Sequence, residues 1–341
     1  MSIKKLNPIK NSILKFFTDF FQNTKTPKGL SLQSDQPLTI LITRPNHRLG
    51  NQLLFTPLIR ELELRFPNAT IDIVVNGNLS FILFSEFDSI RTIYNLPKKP
   101  FNNILKYIKK ATQMMSKKYD LAIAGEEGSN SSKIFVKLSR SRNKIYDSGE
   151  CIENKPTHIS KKPIYSFLKY IDPAIDLKDY TYPQLSIKLT EDEIKQGNTI
   201  LNGLFNNQKE TICIYTFATG RKCHSKEWWS GVYDAMKKEF TNYNILEMLP
   251  IENVSQIDFD SVHFYSKDLR EIAAVIENCS LFFGADSGMM HLSAATNTPT
   301  IGLFNVTKPK IYAPYGNKNL FIDTNTTQVD EIINQIKAVT V

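Results

Sequence analysis

From Leu38 onward, unbroken apolar runs of strand length alternate with runs whose apolar residues recur at helical spacing. LTILITR is such a strand, PNHRLGNQ reads as a loop, and LLFTPLIRELELRF sets Leu54, Leu58, Leu62 and Phe66 on one helical face. TIDIVVNG after Pro67 predicts a second strand, and YDLAIAG, ending at Gly125 before the polar EEGSNSS, a third. A strand, helix, strand unit of this kind builds a parallel sheet whose functional loops gather at the carboxyl ends of its strands.

The pattern weakens between Asp172 and Glu193, which carry two prolines and no long apolar run, and then restarts. Thr211 to Phe217 predicts a strand, and Lys226 to Phe240 a helix with Trp229, Val232, Met236 and Phe240 along one face. Strands follow at Asn244 to Leu249 and Val262 to Ser266. After these come helix LREIAAVIENC, strand SLFFGA, turn DSG, helix MMHLSAAT, strand TPTIGLF and a last helix from Val329 to Val339. The expectation is an α/β protein of two Rossmann-like domains in tandem, residues 36–171 and 194–341, joined by a linker at 172–193.

A chain of 341 residues fits this division, since single cores rarely organise more than about 250 to 300 residues. No G-x-G-x-x-G follows the first strand, so no dinucleotide cofactor is inferred. A net charge of +8 favours anionic partners, but no nucleic-acid-binding motif accompanies it. Cys151, Cys213, Cys223 and Cys279 are widely spaced, which predicts neither a disulfide framework nor a zinc site. No apolar stretch is long enough for a membrane span. Residues 1–35 set Ile13, Leu14, Phe16, Phe17, Phe20 and Phe21 among six lysines, with Asp19 the one acid before residue 30. Two readings fit this extension: a helix lying in a membrane interface, or one packing its phenylalanines on the protein itself.

Three loops carry candidate chemistry. In GADSGMMHLSAAT a buried strand delivers Asp286, Ser287 and Gly288 to a turn opening a helix, where free N–H groups suit a diphosphate, with His291 one turn later. The alternatives are a plain N-cap and a core histidine. In TFATGRKCHSKEWW, Thr219, Gly220, Arg221 and Lys226 offer a hydroxyl, a permissive backbone and two cations between a strand and a helix. In RPNHRLGNQLLFTP, Gly50 makes the turn and Thr56 with Pro57 caps a helix or marks a kink. Asp258 and Asp260 form a D-x-D, but in an apparent loop away from these segments, so no metal site is assigned.

These segments resemble the ADP-heptose heptosyltransferases, glycosyltransferase family 9. LGNQLLFTPLIRELELRFPNATIDIVV is similar to that family's I-G-D, L-L-x-T-P and F-P-x-A pattern. GADSGMMHLSAATNTPTIGLFNVTKP is similar to its G-x-D-S-G-x-x-H-L-A-A-A and L-F-G-x-T pattern, and Lys226 to Trp228 to its K-x-W element. The likeness runs from about Leu38 to Gly316.

It implies two facing Rossmann-like domains in GT-B architecture, with the active site in the cleft between them: the first domain binds the acceptor and the second the nucleotide sugar. The implied reaction is an inverting, metal-independent transfer of a heptose or related sugar. The donor is a nucleoside-diphosphate sugar, ADP-heptose foremost, and the acceptor a lipopolysaccharide core or similar anionic glycolipid. No cofactor is implied. The protein is expected in the cytoplasm, in peripheral contact with the inner face of the membrane.

By the same resemblance Thr219, Lys226, Asp286, Ser287, Gly288 and His291 hold the diphosphate and sugar, and Glu252 the nucleoside. The family's basic aspartate is Asn51 here, and an amide takes no proton at neutral pH. His47 is the first substitute, then Glu126 or Glu127, while Asn51 still positions the acceptor or caps the helix. Lys98, Lys99, Lys106, Lys109 and Lys110 suit an acidic acceptor or simply face solvent. Two other functions are compatible with parts of this pattern. One is a sugar-nucleotide-binding protein without catalysis; the other is a nonhydrolysing nucleotide-sugar epimerase, against which the D-S-G-x-x-H segment argues.

Overall fold

The computed structural model describes residues 36–98, 103–149 and 153–340; the extension at 1–35, with its two alternative readings, lies outside them, as do Lys99 and Cys151. The N-terminal lobe runs β1 (Thr39–Thr43), α1 (Leu49–Leu53), α2 (Thr56–Arg65), β2 (Thr70–Asn76), α3 (Leu79–Leu83), β3 (Ile90–Leu96), α4 (Ile104–Ser116), β4 (Lys118–Ala124), α5 (Asn130–Leu138), β5 (Arg140–Ile145) and α6 (Lys161–Ile171). The C-terminal lobe runs α7 (Glu191–Phe205), β6 (Thr211–Tyr215), α8 (Lys226–Glu239), β7 (Asn244–Met248), β8 (Val262–Phe264), α9 (Leu269–Glu277), β9 (Leu281–Ala285), α10 (Gly288–Ser293), β10 (Thr300–Phe304), α11 (Pro309–Tyr312), β11 (Leu320–Asp323) and α12 (Val329–Thr340).

Each lobe holds one sheet, ordered β3-β2-β1-β4-β5 in the first and β11-β10-β9-β6-β7-β8 in the second, and every described strand pair is parallel. Central strands are buried on both faces, which is why LFFGA and the ILI of TILIT are apolar. In the second sheet Ile212, Ile214, Phe283 and Leu303 face Trp229, Val232 and Met236 of α8 and Ile332 and Ile336 of α12. Its other face, through Cys213, Tyr215, Phe282 and Phe304, belongs to a core that continues through Ile272 and Val275 of α9 and Met290 and Leu292 of α10. The same core includes Leu53 and Phe55, Leu58 and Leu62 of α2, and Ile40, Ile42 and Ile73 of the first sheet. One apolar core therefore runs from lobe to lobe.

Two expectations change. The loop before α2 is partly helical: α1 forms, the chain breaks at Leu54 and Phe55, and α2 restarts with Pro57 in its first turn. The Thr56 hydroxyl sits in that break, donating to Leu53 O at 2.7 Å and accepting from Ser186 N at 3.1 Å. The segment 172–193 is not loose, and its last residues already form α7. Glu61 accepts from Tyr180, Glu63 pairs with Lys188, Gln184 O accepts from Arg60, and Ile187 N donates to Ala295 O across the lobes. The buried side chains of Leu177, Leu185 and Ile187 join these hydrogen bonds in holding the strap to the core, and because they are spaced singly among polar residues its composition looks like that of a linker.

Candidate active site

In each sheet the chain completes one side and then crosses to the other, between β1 and β4 in the first and between β6 and β9 in the second. Such switch points leave a crevice at the carboxyl ends of the strands, where ligands of open α/β sheets bind. The residues following those four strands are Arg44, Gly125 with Glu126, Thr216 to Lys222, and Asp286 to Gly288.

On the C-terminal side Asp286 is buried. It is paired with Lys222 Nζ at 2.7 Å and accepts a hydrogen bond from the Thr307 hydroxyl. Ser287 caps α10 by accepting from Met290 N at 3.3 Å, so its hydroxyl proton is still available to donate. His291 is buried; burial holds its imidazole well below the ordinary value, the Asp286 carboxylate partly opposing this. The ring is therefore neutral near pH 7 and acts as a hydrogen-bonding group rather than a cation. Gly220 adopts φ +65°, a left-handed conformation, and opens the 3-10 turn at 220–222 that swings Lys222 toward Asp286.

The two lobes meet at this point through a reciprocal close approach. A Cβ on Gly50 would lie 2.5 Å from His291 Cδ2, and one on Gly288 would lie 3.1 Å from Leu49 Cβ. A side chain at Gly50 would force a shift and one at Gly288 would be tight, and α1 abuts α10 directly.

On the N-terminal side Arg44 is fully buried. Its Nη1 donates to Gly125 O at 2.8 Å and its Nη2 lies 3.6 Å from Glu126 Oε2, while Nε and Nη2 have no hydrogen-bond partner among the described residues. Burial lowers its pKa, with the Glu126 carboxylate and the Tyr312 phenol of the opposite lobe acting the other way. Its positive charge is in turn felt by His291. A guanidinium keeps its proton in proteins, and a buried charge with unused donors is costly unless an anion completes it.

Of the residues expected at the site, Asp286, Ser287, Gly288 and His291 form one turn beside Gly50. Lys226, at the start of α8, pairs with Asp258 instead, and Asp260 pairs with Lys237, so both D-x-D carboxylates are matched by lysines. Thr219 and Arg221 are exposed, and Arg221 O accepts from Asn305 Nδ2 at 3.2 Å. Glu252 is exposed; burial pushes the Tyr215 phenol up and the Glu252 charge adds to it, which sets the carboxylate near the end of β6.

His47 is exposed, its Cβ 3.4 Å from where a Cβ on Gly77 would stand. Asn51 is half-buried on α1. Glu127 is occupied by Lys155 at 2.8 Å and by the Ser166 hydroxyl, leaving Glu126, partly open and beside Arg44, as the available carboxylate of that loop. Among the described residues no group of His, Cys, Asp or Glu side chains is arranged to hold a metal.

Sequence reasoning passed over Arg44, Lys222 and Thr307. It also passed over Glu247, a carboxyl inside an apolar strand, whose pKa is raised by burial while Thr216 and Ser255 hold it at 2.6 and 2.8 Å. Glu247 ties the loop that carries Glu252 to the end of β6; an acid within ILEMLP was its visible signal.

Known proteins resemble this chain in sequence and in fold. Residues 265–335 match the model of glycosyltransferase family 9 (heptosyltransferase). Lipopolysaccharide heptosyltransferase 3 of Escherichia coli is 24% identical over 299 residues, covering 79% of this chain and 84% of the relative. Lipooligosaccharide heptosyltransferase 2 of Haemophilus influenzae is 23% identical over 319 residues, 84% of this chain and 88% of the relative.

Among solved structures, the family 9 glycosyl transferase from Veillonella parvula superposes with a TM-score of 0.70 at 16% identity, covering 90% of this chain and 98% of its own. The E. coli heptosyltransferase WaaC with ADP gives 0.64 at 16%, covering 89% and 100%. The expected GT-B architecture of two Rossmann-like units is the fold observed.

Burial also depresses His158 to about 3 and His224 to about 4. With His291 they are neutral when folded and take up protons on unfolding below about pH 6.5. Here the unfolded state binds more protons, so stability must fall with acidification, by up to about 1.4 kcal/mol per pH unit for each group. Urea unfolding followed from pH 7 to 5 should show that decline, and His158→Gln should make it shallower. A stability that is flat or rising over this window contradicts the buried neutral assignment.

Proposed function

We propose that this chain, a glycosyltransferase resembling family 9, moves a heptose from ADP-heptose to an anionic glycolipid of the lipopolysaccharide-core type. The observation carrying the reading is the meeting of both switch points at one spot, with Lys222 on Asp286 from one lobe and unsatisfied Arg44 from the other. In the proposed complex the diphosphate lies over the turn from Asp286 to Gly288. It takes hydrogen bonds from that turn and from Ser287 and Thr219, charge from Lys222, Arg221 and Lys226, and a contact from His291 to phosphate or sugar. Glu252 contacts the nucleoside. Residues 36–171 offer the acceptor and 194–341 the donor.

The acceptor hydroxyl attacks the anomeric carbon from the face opposite the diphosphate. A new C–O bond forms as the bond to the phosphate oxygen breaks, and the configuration inverts. Charge developing on the diphosphate is met by fixed N–H groups and cations, and no divalent ion or cofactor is part of the proposal. The hydroxyl proton needs a base. His47 and Glu126 are the candidates, and Glu126 is favoured because Arg44 keeps it in the crevice whereas His47 stands on the outer rim. Asn51 positions the acceptor hydroxyl.

Calorimetric titration with ADP, GDP, UDP and CMP tests the donor site. ADP is expected to bind near the micromolar range, with affinity reduced about tenfold or more in Lys222→Ala and less in Lys226→Ala. An absence of nucleotide binding at millimolar concentration would remove the donor reading.

Release of ADP from ADP-heptose in the presence of a lipopolysaccharide-core acceptor tests the base. Glu126→Gln is expected to slow turnover by about a hundredfold or more while nucleotide affinity holds, with His47→Asn close to wild type. The reverse pattern assigns the proton to His47. Nucleotide binding without turnover on any acceptor would favour a binding protein instead.

A further inference from the structure

Helix α4 carries a surface that the transfer reaction does not use. Its inner face is set by Met114, buried, and Tyr107, whose ring lies 6.0 Å from that of Phe135. Yet Ile104, Leu105 and Ile108 are 55%, 81% and 50% exposed. Ile104 and Ile108, four residues apart, share one side, and Leu105 adjoins them. Lys106, Lys109 and Lys110 share the next side by the same spacing. Between positions 98 and 118 the chain has seven lysines and no acid. Solvent-facing apolar residues on a helix are normally single; here three cluster on its first turns, bordered by one sign of charge only.

The location is specific. The helix leaves the carboxyl end of β3, so its first turns stand at the sheet edge where the crevice opens. Lys98, at that end of β3, has its Cε 2.8 Å from where a Cβ on Gly77 would be, in the same spot that His47 approaches. The strip thus begins on the side of the N-terminal sheet where its strands end, the side that also carries Arg44 and Glu126.

We propose that the N-terminal half of α4 docks on an anionic lipid bilayer, with Ile104, Leu105 and Ile108 entering the interface and Lys98, Lys106, Lys109 and Lys110 facing the headgroups. Among the described residues no helix is long and apolar enough to cross a membrane, and this surface needs none: apolar area plus unopposed lysines is what interfacial attachment requires. The geometry turns the acceptor side of the crevice toward the lipid. A protein partner would need acidic groups matched to each lysine, whereas a bilayer of anionic lipids supplies diffuse negative charge and an apolar layer together. The inference does not depend on which sugar is moved.

The full chain is spun with vesicles of phosphatidylglycerol and phosphatidylethanolamine, and with phosphatidylcholine alone. It should sediment with the first and not the second, and salt should release it. Leu105→Glu and Ile108→Glu should each lower the bound fraction about tenfold. The triple variant Lys106→Gln, Lys109→Gln, Lys110→Gln should lower vesicle affinity by about fivefold per lysine. Nucleotide affinity and melting should remain unchanged in all of them, which separates this outcome from any failure of the donor site.

A wild-type protein that ignores anionic vesicles overturns the proposal. So does undiminished binding by the α4 variants, which would place attachment elsewhere, in residues 1–35 for instance. Conversion of a wild-type dimer to monomer by Leu105→Glu, with lipid binding intact, would identify the strip as a contact between copies and overturn it equally.

Discussion

Everything at the crevice depends on the direct contact between two short helices, one from each lobe. Gly50 lets His291 approach to a distance at which a Cβ would force a shift, and Gly288 lets Leu49 approach to one at which a Cβ would be tight. Around this contact the apolar core is continuous from Ile42 and Leu58 to Met290 and Phe282, so the lobes are joined by buried area as well as by the strap at 172–190. Because interiors are close-packed and resist small displacements, this contact sets the spacing between the strand ends that carry Arg44 and Asp286. Opening the crevice would have to expose part of a shared core, which gives any motion between the lobes a real cost.

The electrostatics follow from the same burial. Arg44, Asp286, Glu247 and His291 all sit out of water, and each answers differently. Asp286 is matched by Lys222, Glu247 is hydrogen-bonded and shifted toward its neutral form, and His291 discards its charge. Arg44 can do none of these fully, since Gly125 O and a distant Glu126 leave Nε and Nη2 without partners. The unsatisfied group is therefore a cation, at the place where an anionic donor is proposed to bind. Fixed dipoles and charges in a dry crevice act more strongly than the same groups in water, which is why a few residues suffice.

The sequence revealed this arrangement unevenly, for physical reasons. TILIT, TIDIVVN and LFFGA were readable because parallel strands buried on both faces are predominantly apolar, Asp72 being the one charged residue in these three. Edge strands IRTIYNL and RSRNKI, wet on one side, gave no such run. Helix α4 was missed because its exposed isoleucines and lysines blur the helical period. At the site, the turn from Asp286 to Gly288 was legible from strand-turn-helix chemistry. The choice between Lys222 and Lys226 was not, because four residues of sequence separate them while a left-handed Gly220 and the start of α8 send them to different carboxylates. Arg44 read as the polar end of a strand; its burial beside Gly125 and Glu126 comes from the tertiary fold and leaves no local signal.

The most direct measurement is a crystal structure of the protein with ADP. The β-phosphate is expected over the turn from Asp286 to Gly288, within hydrogen-bond distance of its N–H groups and of Lys222, with the adenosine extending toward Glu252. A diphosphate located away from both switch points, for instance against Asn305 and Lys310 on the outer side of β10, would contradict it.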